Sequence, residues 1–397
     1  MNNAIQYPGA PGERLPEQPA SQPQRQKEKI LYDERGLIDL PFLLLTVLLV
    51  LIGVVMMFSA SFASAYVEEG SSTAYFARQG LFALVGIGIM LFVSRLNYQM
   101  WRALSFPIMA GAIFLLMLVP IFGTEENGAR RWIYLGFTSF QPSEVAKLAV
   151  ILTFATLMSA YKDRMKTFRY GVVPFAAILG AIALLLALEP HFSAIIIIFC
   201  VGGVMMFLGG TELKWFGLAL LAAALFGFIY LKFMGYASAR ITAWQDPWAD
   251  PSDAGYQIVQ SLYAIGSGGL MGLGLGKGRQ KYLYLPEEHN DYIFAVVCEE
   301  LGFVGAMVVI LLFVLLILRG YWIAVHARDR FGALMVGGLT TLLALQVFFN
   351  IGVVTNFLPA TGISLPFFSY GGTALLLQLF EMGLILSVSR QSNNKLL

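Results

Sequence analysis

The chain has 397 residues, of which 58% are hydrophobic and only 13% are charged, and its formal net charge is +2. A mean hydropathy of +0.71 corresponds to more apolar surface than a soluble core of ordinary proportions can bury, which excludes a soluble globular protein. The small net charge gives no electrostatic footprint for nucleic acid, so no nucleic-acid partner is expected. The composition therefore predicts an all-α polytopic membrane protein.

About ten apolar segments are long enough to cross the roughly 30 Å hydrocarbon core as helices. They lie at 40–61, 77–94, 104–123, 144–160, 171–188, 194–210, 215–233, 293–318, 333–355 and 371–389. A large extracytoplasmic loop, 235–292, is expected between the seventh and eighth helices. Lys and Arg concentrate in the loops assigned to the other side, so the positive-inside rule places both termini in the cytoplasm.

The segments outside the membrane domain are short or polar. Residues 1–35 are rich in Pro, Gln, Arg and Glu and contain no apolar run, which predicts a disordered cytoplasmic tail rather than a signal peptide. Residues 36–390 form the predicted transmembrane domain, and 391–397 form a short cytoplasmic C-terminal tail. Two cysteines and three histidines without paired metal-ligand spacing give no reason to expect zinc or haem.

The fourth predicted helix opens with Gln141-Pro142-Ser143-Glu144 and carries a lysine inside the membrane. Glu144 is explained by the positive end of the helix dipole alone. Lys147 lies three residues further on the same helical face, and a buried lysine is costly without a partner. Lys147 therefore either pairs with Glu144 or faces a polar cavity, in which case it is functional.

A glycine-rich segment, 266–278, lies in the large loop. A Walker phosphate loop needs Gly-Lys followed by Ser or Thr, whereas Gly278 follows Lys277 here, so nucleotide binding is not expected. The glycines favour a re-entrant or surface loop that turns tightly and approaches other backbone or a ligand closely. Arg279 and Lys281, just after it, are candidates to meet a phosphate.

The segment 285–302 carries acids into the eighth predicted helix. Asn290 or Asp291 could simply cap that helix. Glu299 and Glu300 lie about two turns inside the span, where charges normally face a cavity or a partner. Asp291, Glu299 and the basic loop residues together suggest a polar cavity that opens outward.

Prolines interrupt the segment 356–372 between the last two spans. Pro359 and Pro366 prevent a continuous helix, and irregular backbone at membrane depth is tolerated only when it is buried in protein or lines a cavity. This loop, with Thr361 and Ser369, is therefore expected to fold back toward the same outer cavity.

Five motifs appear in order along the chain: QPSEVAKL, DPWAD, GYQIVQSLYAIGSGGLMGLGLG, LPEEHNDYIFAVVCEELG and LPATGISLPFFSYGG. Together they resemble the SEDS family (shape, elongation, division, sporulation), from the first span to the last. NGARRW, the DPWADP segment and the long N-terminal tail are more similar to the division branch of that family than to its elongation branch.

The resemblance implies a peptidoglycan glycosyltransferase that polymerises lipid II at the outer face of the bacterial cytoplasmic membrane, at the division septum. The implied partners are a class B penicillin-binding protein, an FtsI-type transpeptidase, and other divisome membrane proteins. Asp291 matches the catalytic aspartate of the family. Further residues matched to the polar cavity or its support, or taken as candidates for it, are Arg240, Gln257, Arg279, Lys281, Glu144, Lys147 and Ser369.

Two positions depart from the family pattern. His191, in EPHFSA, stands where an aspartate is frequent, which leaves the role of that loop open. Asn290 stands where many members have threonine, which is a conservative change.

The implied reaction suits these residues. Asp291 would act as the general base that takes the proton of the acceptor hydroxyl, and partial desolvation would raise its pKa toward the working range. Arg240, Arg279, Lys281 or a substrate-bound divalent cation such as Mg²⁺ or Mn²⁺ would stabilise the leaving diphosphate. Displacement without a second nucleophilic carboxylate implies inversion at the anomeric carbon.

Two other classes compete with this interpretation. A lipid II flippase would need polar groups continuous from both faces, and inverted repeats would support it; the sequence has no clear repeat, and its polar residues concentrate outside. A scaffold that only recruits the transpeptidase predicts that Asp291 is dispensable.

Overall fold

The structure is a computed structural model that describes residues 36–126, 129–134, 136, 139–218, 241–253 and 255–392. The predicted N-terminal tail 1–35, Arg240, most of the predicted span 215–233 and the last residues 393–397 lie outside the described ranges.

Within those ranges the chain is almost entirely helical. The helices are α1 Leu40–Glu69, α2 Ala74–Val93, α3 Gln99–Phe122, α4 Pro142–Tyr161, α5 Phe168–Gly171, α6 Val173–Leu188, α7 Phe192–Leu208, α8 Tyr256–Gly268, α9 Ile293–Val325, α10 Arg330–Val354 and α11 Gly372–Arg390, with a 3₁₀ turn at Lys162–Lys166. Three short strands, β1 Thr124–Glu126, β2 Ala129–Tyr134 and β3 Ser139–Phe140, form an antiparallel sheet between α3 and α4.

Eight helical segments of the described chain are long and apolar enough to cross a membrane, and the 17-residue α7 is a shorter apolar helix. Nine of the predicted spans coincide with these helices. The remaining one, 215–233, lies almost entirely outside the described ranges, so the number ten stays a prediction. The side of the bundle that carries 241–292, predicted to be extracytoplasmic, is called the outer side below.

The core of the bundle is centred on α4 and α10. Buried residues make up 72% and 78% of their most apolar stretches, against 28% for α2, α3 and α9. The less buried helices pack against well-buried ones: α3 against α4, α9 against α10, and α2 against α11, of which 67% is buried. Helices that are apolar on every face must bury one side in protein and the other in lipid, so this arrangement describes an integral membrane protein.

The glycine-rich segment forms a hairpin with α8 that lies against α9. Gly302 breaks α9 with a non-helical backbone (φ 69°, ψ −171°), and the segment 269–274 supplies hydrogen bonds there, among them Leu273 N to Glu299 O at 3.0 Å. At Gly272 (φ +80°) a Cβ atom would stand 2.2 Å from a backbone oxygen of α9. The close backbone approach predicted from the glycines is confirmed, and only glycine allows it.

Candidate active site

Asp291 lies in the outer loop directly before α9 and is partly exposed. The helix begins at Ile293 with Tyr292 as its N-cap residue, and no side-chain capping bond is made there. The interpretation of Asn290 or Asp291 as the N-cap residue is therefore wrong, because Tyr292 occupies that position.

The backbone of Asp291 is held by an amide from the bundle core. Nδ2 of Asn350, a residue of α10 that is 1% exposed, donates to the carbonyl oxygens of Asp291 at 2.7 Å and of Ile363 at 2.8 Å. A Cβ atom on Gly362 would stand 3.1 Å from Oδ2 of Asp291. The carboxylate thus lies against the 355–371 loop, and Asn350 fixes the two segments to each other.

A second set of bonds joins the same segments. Oγ of Ser369 donates to the carbonyl of Asn290 at 2.7 Å and accepts from Leu365 N at 2.8 Å. The backbone N–H of Tyr370 donates to the carbonyl of His289 at 2.8 Å. The 356–372 loop thus folds back against the Asp291 segment, as predicted, while the outer cavity that it was expected to line stays a prediction. Ser369, predicted as a cavity residue, contributes by holding the backbone next to Asp291.

Glu144 and Lys147 form the pair that was one of the two sequence alternatives. Nζ of Lys147 is 2.7 Å from the Glu144 carboxylate, and the lysine side chain is only 5% exposed. Two hydrogen bonds join the start of α4 and the loop before α7 to their neighbours. Nε2 of Gln141 lies 3.4 Å from Nε2 of His191, and Ser193 donates to the carbonyl of Thr361, the residue before Gly362.

The loop between α6 and α7 contains two buried ionisable groups outside the membrane spans. Burial raises the pKa of Glu189 to about 8, against the opposing effect of Arg131. Burial lowers the pKa of His191 to about 3, and the positive charges of Arg131 and Lys147 act in the same direction. Both groups are therefore uncharged at neutral pH. Sequence analysis singled out His191 only as a departure and missed Glu189; the signal was an acid in a very short loop between two apolar helices.

Lys281 lies in a separate, closed cluster. Its Nζ is 2.8 Å from Oε1 of Glu300 and 3.0 Å from Oγ of Ser59, and the residue is 2% exposed. Glu299 accepts from the backbone N–H of Arg279 at 2.7 Å. Glu299 and Glu300 thus both bind the segment that follows the hairpin. The expectation that Glu299 shares an outward-opening cavity with Asp291 is therefore not met. These contacts favour a structural role for Lys281 over diphosphate binding.

The other predicted site residues are spread along the outer side. Arg279 is exposed. Nε2 of Gln257, at the start of α8, donates to the carbonyl of Pro286 at 3.3 Å and so supports the segment that leads to Asp291. Arg240 lies outside the described residues. The structure thus brings together the segments of Asp291 and Ser369, while Lys281 lies in the separate cluster with Glu300.

Known proteins similar to this chain give a consistent result. The 42% identity to the stage V sporulation protein E of Bacillus subtilis extends over 357 residues, 89% of this chain and 97% of that protein. The probable peptidoglycan glycosyltransferase FtsW of Geobacter sulfurreducens is 40% identical over 354 residues, 88% of this chain and 95% of that protein.

Solved structures agree. A chain in "Structural coordination of polymerization and crosslinking by a peptidoglycan synthase complex" superposes with a TM-score of 0.75 at 28% identity, covering 90% of this chain and 99% of that one. The rod shape determining protein RodA of Thermus thermophilus gives a TM-score of 0.67 at 27% identity, over 90% and 98% of the chains. Since the FtsW, RodA and SpoVE family model, described as "Cell cycle protein", matches residues 40–394, the chain belongs to that family, the one its motifs resemble.

Proposed function

We propose that this protein is a peptidoglycan glycosyltransferase that polymerises lipid II at the outer face of the cytoplasmic membrane, with Asp291 as general base. The observation that carries the proposal is the setting of Asp291. Its carboxylate lies against Gly362 at the outer end of α9, and its backbone is fixed from the core by Asn350. A relative, the Geobacter sulfurreducens protein, is named a probable peptidoglycan glycosyltransferase.

The chemistry requires a base held in place. An acceptor sugar hydroxyl loses its proton as its oxygen attacks the anomeric carbon of the donor, and a positioned carboxylate typically contributes about 10²- to 10⁴-fold to such a step. Rigid placement of Asp291 by two loops supports this role, because misplacement of a reacting group is costly in rate. With one carboxylate and no second nucleophilic acid assigned, the reaction inverts the anomeric centre. Retention in a stereochemical assay would exclude this mechanism.

Positive charge must meet the leaving diphosphate. Lys147 and Lys281 are each paired with a carboxylate, of Glu144 at 2.7 Å and of Glu300 at 2.8 Å, so we assign this role to the exposed Arg279 and to Arg240. A divalent cation, Mg²⁺ or Mn²⁺, would be carried by the diphosphate itself. Within the described ranges, no group of three or more His, Cys, Asp and Glu side chains is arranged to hold a metal ion.

We also propose that a class B penicillin-binding protein of the FtsI type is the partner, that both termini are cytoplasmic and that the protein acts at the septum with other divisome proteins. The similarity to a chain of a peptidoglycan synthase complex supports the transpeptidase partner. The motifs shared with the division branch support the septal location.

The test is lipid II polymerisation by the purified chain with its cognate transpeptidase, read as glycan strands on a gel. We expect Asp291→Asn to lower the rate by about 100-fold or more, with the complex still assembled. Asp253→Asn, which changes an exposed aspartate of the outer side, is the matched control and retains full activity.

Undiminished polymerisation by Asp291→Asn would remove this carboxylate from the mechanism. If the native chain assembles the complex but does not polymerise lipid II, a flippase or a scaffold is favoured instead. A lipid II translocation assay in vesicles detects the flippase.

A further inference from the structure

One short loop on the side of the bundle opposite the candidate base is strongly basic. The segment 162–169, between α4 and α6, reads KDRMKTFR, with one acid, Asp163. Its four basic residues, all of them exposed, are Lys162, Arg164, Lys166 and Arg169. The ion pairs formed among the described residues include none of these four. The segment is called the 162–169 loop.

The helices around this loop place it at a membrane surface. α4 and α7 begin together on the outer side, where Gln141 lies 3.4 Å from His191. The 20 residues of α4 span about 30 Å, which is the thickness of the hydrocarbon core. At their far ends the two helices meet again, because Oγ1 of Thr211 donates to the carbonyl of Gly171 at 3.3 Å. The loop therefore lies one bilayer thickness away from the outer side, on what is called the inner side.

The backbone of the loop is tightly folded. The backbone N–H and the hydroxyl of Thr167 both donate to the carbonyl of Arg164, at 3.0 and 2.8 Å. Met165 is 1% exposed and anchors the loop in the bundle, and a Cβ atom on Gly171 would stand 1.8 Å from the carbonyl oxygen of Met165. The charged side chains thus project from a fixed backbone, which lowers the entropy cost of binding a ligand.

Two of the basic side chains share one aromatic ring. The guanidinium carbons of Arg164 and Arg169 lie 5.6 and 5.9 Å from the centroid of the Tyr170 ring. The ring attracts each cation, but two positive groups held near the same ring repel each other. An anion bound to both guanidinium groups would relieve that repulsion.

The other arginines of the inner side differ in their surroundings. Arg319 pairs with Asp39 at 2.9 Å, and Arg330 donates to the carbonyl of Gly209 at 2.8 Å. Arg95 and Arg102 are exposed, but within the described ranges no aromatic ring lies under either guanidinium group. The positive-inside rule accounts for cations on this side in general. It does not account for two guanidinium groups gathered on one ring.

Exposed apolar side chains lie next to these cations. Phe168 is 49% exposed and Leu213 is 69% exposed. The ring of Phe168 lies 4.7 Å from that of Trp215, which brings the segment after α7 against the 162–169 loop. A free phosphate would contact only the cations, whereas a phospholipid would also cover the apolar side chains.

We propose that the 162–169 loop binds an anionic phospholipid of the inner leaflet. Its phosphate is held by Arg164 and Arg169, and its acyl chains cover Phe168 and Leu213. This site goes beyond the proposed function, since it lies on the surface opposite the candidate base and holds a lipid that is not the substrate.

The experiment is native mass spectrometry of the full chain in detergent, titrated with phosphatidylglycerol. Phosphatidylcholine is the zwitterionic comparison lipid, and sn-glycerol 3-phosphate supplies the phosphate without acyl chains. The variants are Arg164→Gln/Arg169→Gln and the charge-preserving Arg164→Lys/Arg169→Lys. The matched control, Arg95→Gln/Arg102→Gln, removes two exposed charges from the same side of the bundle.

Each basic residue next to an anionic lipid contributes about fivefold to affinity, so we expect Arg164→Gln/Arg169→Gln to weaken phosphatidylglycerol about 25-fold. The lysine variant should weaken it about threefold, because an ammonium group cannot present the planar fork of a guanidinium to a phosphate. The control should stay within about twofold, since its charges act on the lipid only through screened attraction. Phosphatidylcholine should bind all four proteins equally.

An equal loss in the control variant, or native affinity in the lysine variant, would overturn the proposal and leave only general attraction to anionic lipid. Displacement of phosphatidylglycerol by an equal concentration of sn-glycerol 3-phosphate would also overturn it, because a free phosphate would then suffice. If the glutamine variant does not fold, the lysine variant, which keeps both charges, decides alone.

Discussion

Removal of the Asn350 amide tests whether Asp291 is held in place from the core. In Asn350→Ala the carbonyls of Asp291 and Ile363 lose donors at 2.7 and 2.8 Å. A buried acceptor left without a partner costs about 1–3 kcal/mol, and partial access of water to the outer loop favours the lower half of that range. For two carbonyls the expected loss of unfolding free energy is about 2–4 kcal/mol.

Activity is expected to fall further than stability alone requires. When the two loops separate, the Asp291 carboxylate moves relative to the acceptor, and a displacement of about 1 Å can cost about 100-fold in rate. The assay compares kcat of lipid II polymerisation and thermal unfolding in detergent at a temperature where each variant is folded. Asn97→Ala, which removes an exposed bond to Gln99 N at 2.9 Å on the opposite side of the bundle, is the control. Native kcat in folded Asn350→Ala would refute the positioning role.

Two further predictions concern the neighbouring clusters. Lys281→Met leaves the buried Glu300 carboxylate without its positively charged partner at 2.8 Å, so we expect a loss of about 3–5 kcal/mol in unfolding free energy. The double variant Lys281→Met/Glu300→Leu should recover most of that loss. Equal stability of the single and double variants would contradict this account. Gly362→Ala places a Cβ atom 3.1 Å from Oδ2 of Asp291 at φ +68°, so kcat should fall with little change in KM for lipid II. Steady-state kinetics measure both constants. An unchanged kcat would show that the carboxylate tolerates a shift.

The spans were predictable because hydrocarbon imposes long apolar runs on a sequence, and residues 40–61 or 293–318 satisfy that condition without any tertiary information. The close backbone approach of the hairpin was predictable from its glycines, since only a residue without Cβ fits at Gly272. The break in α9 was not predicted, although Gly302 stood in the sequence, because a glycine inside an apolar helix is more often tolerated than kinked.

The Glu144–Lys147 pair was predictable as an alternative because its members are three residues apart, whereas partners distant in sequence were not. Lys281 meets Glu300 and Ser59, the latter 222 positions away, so its role looked functional from local sequence. Asn350 was not singled out at all. The available signal was an amide in an apolar span, which is expensive in the membrane and therefore usually has a specific partner.

The broken geometry of α9 has a mechanical consequence. A continuous helix behaves as a stiff rod, so tilting its cytoplasmic half would swing the end next to Asp291 through a proportional arc. At Gly302 the rod is interrupted, and residues 293–301 are attached laterally to the hairpin by backbone bonds at 3.0 Å from Leu273 and Gly274. The same hairpin also accepts, at Gly269 and Leu270, the backbone N–H groups of Phe303 and Val304 at 2.9 and 3.1 Å. The hairpin thus bridges the break, and the alignment of the segment beside the base is set by the hairpin in place of a continuous helical ladder.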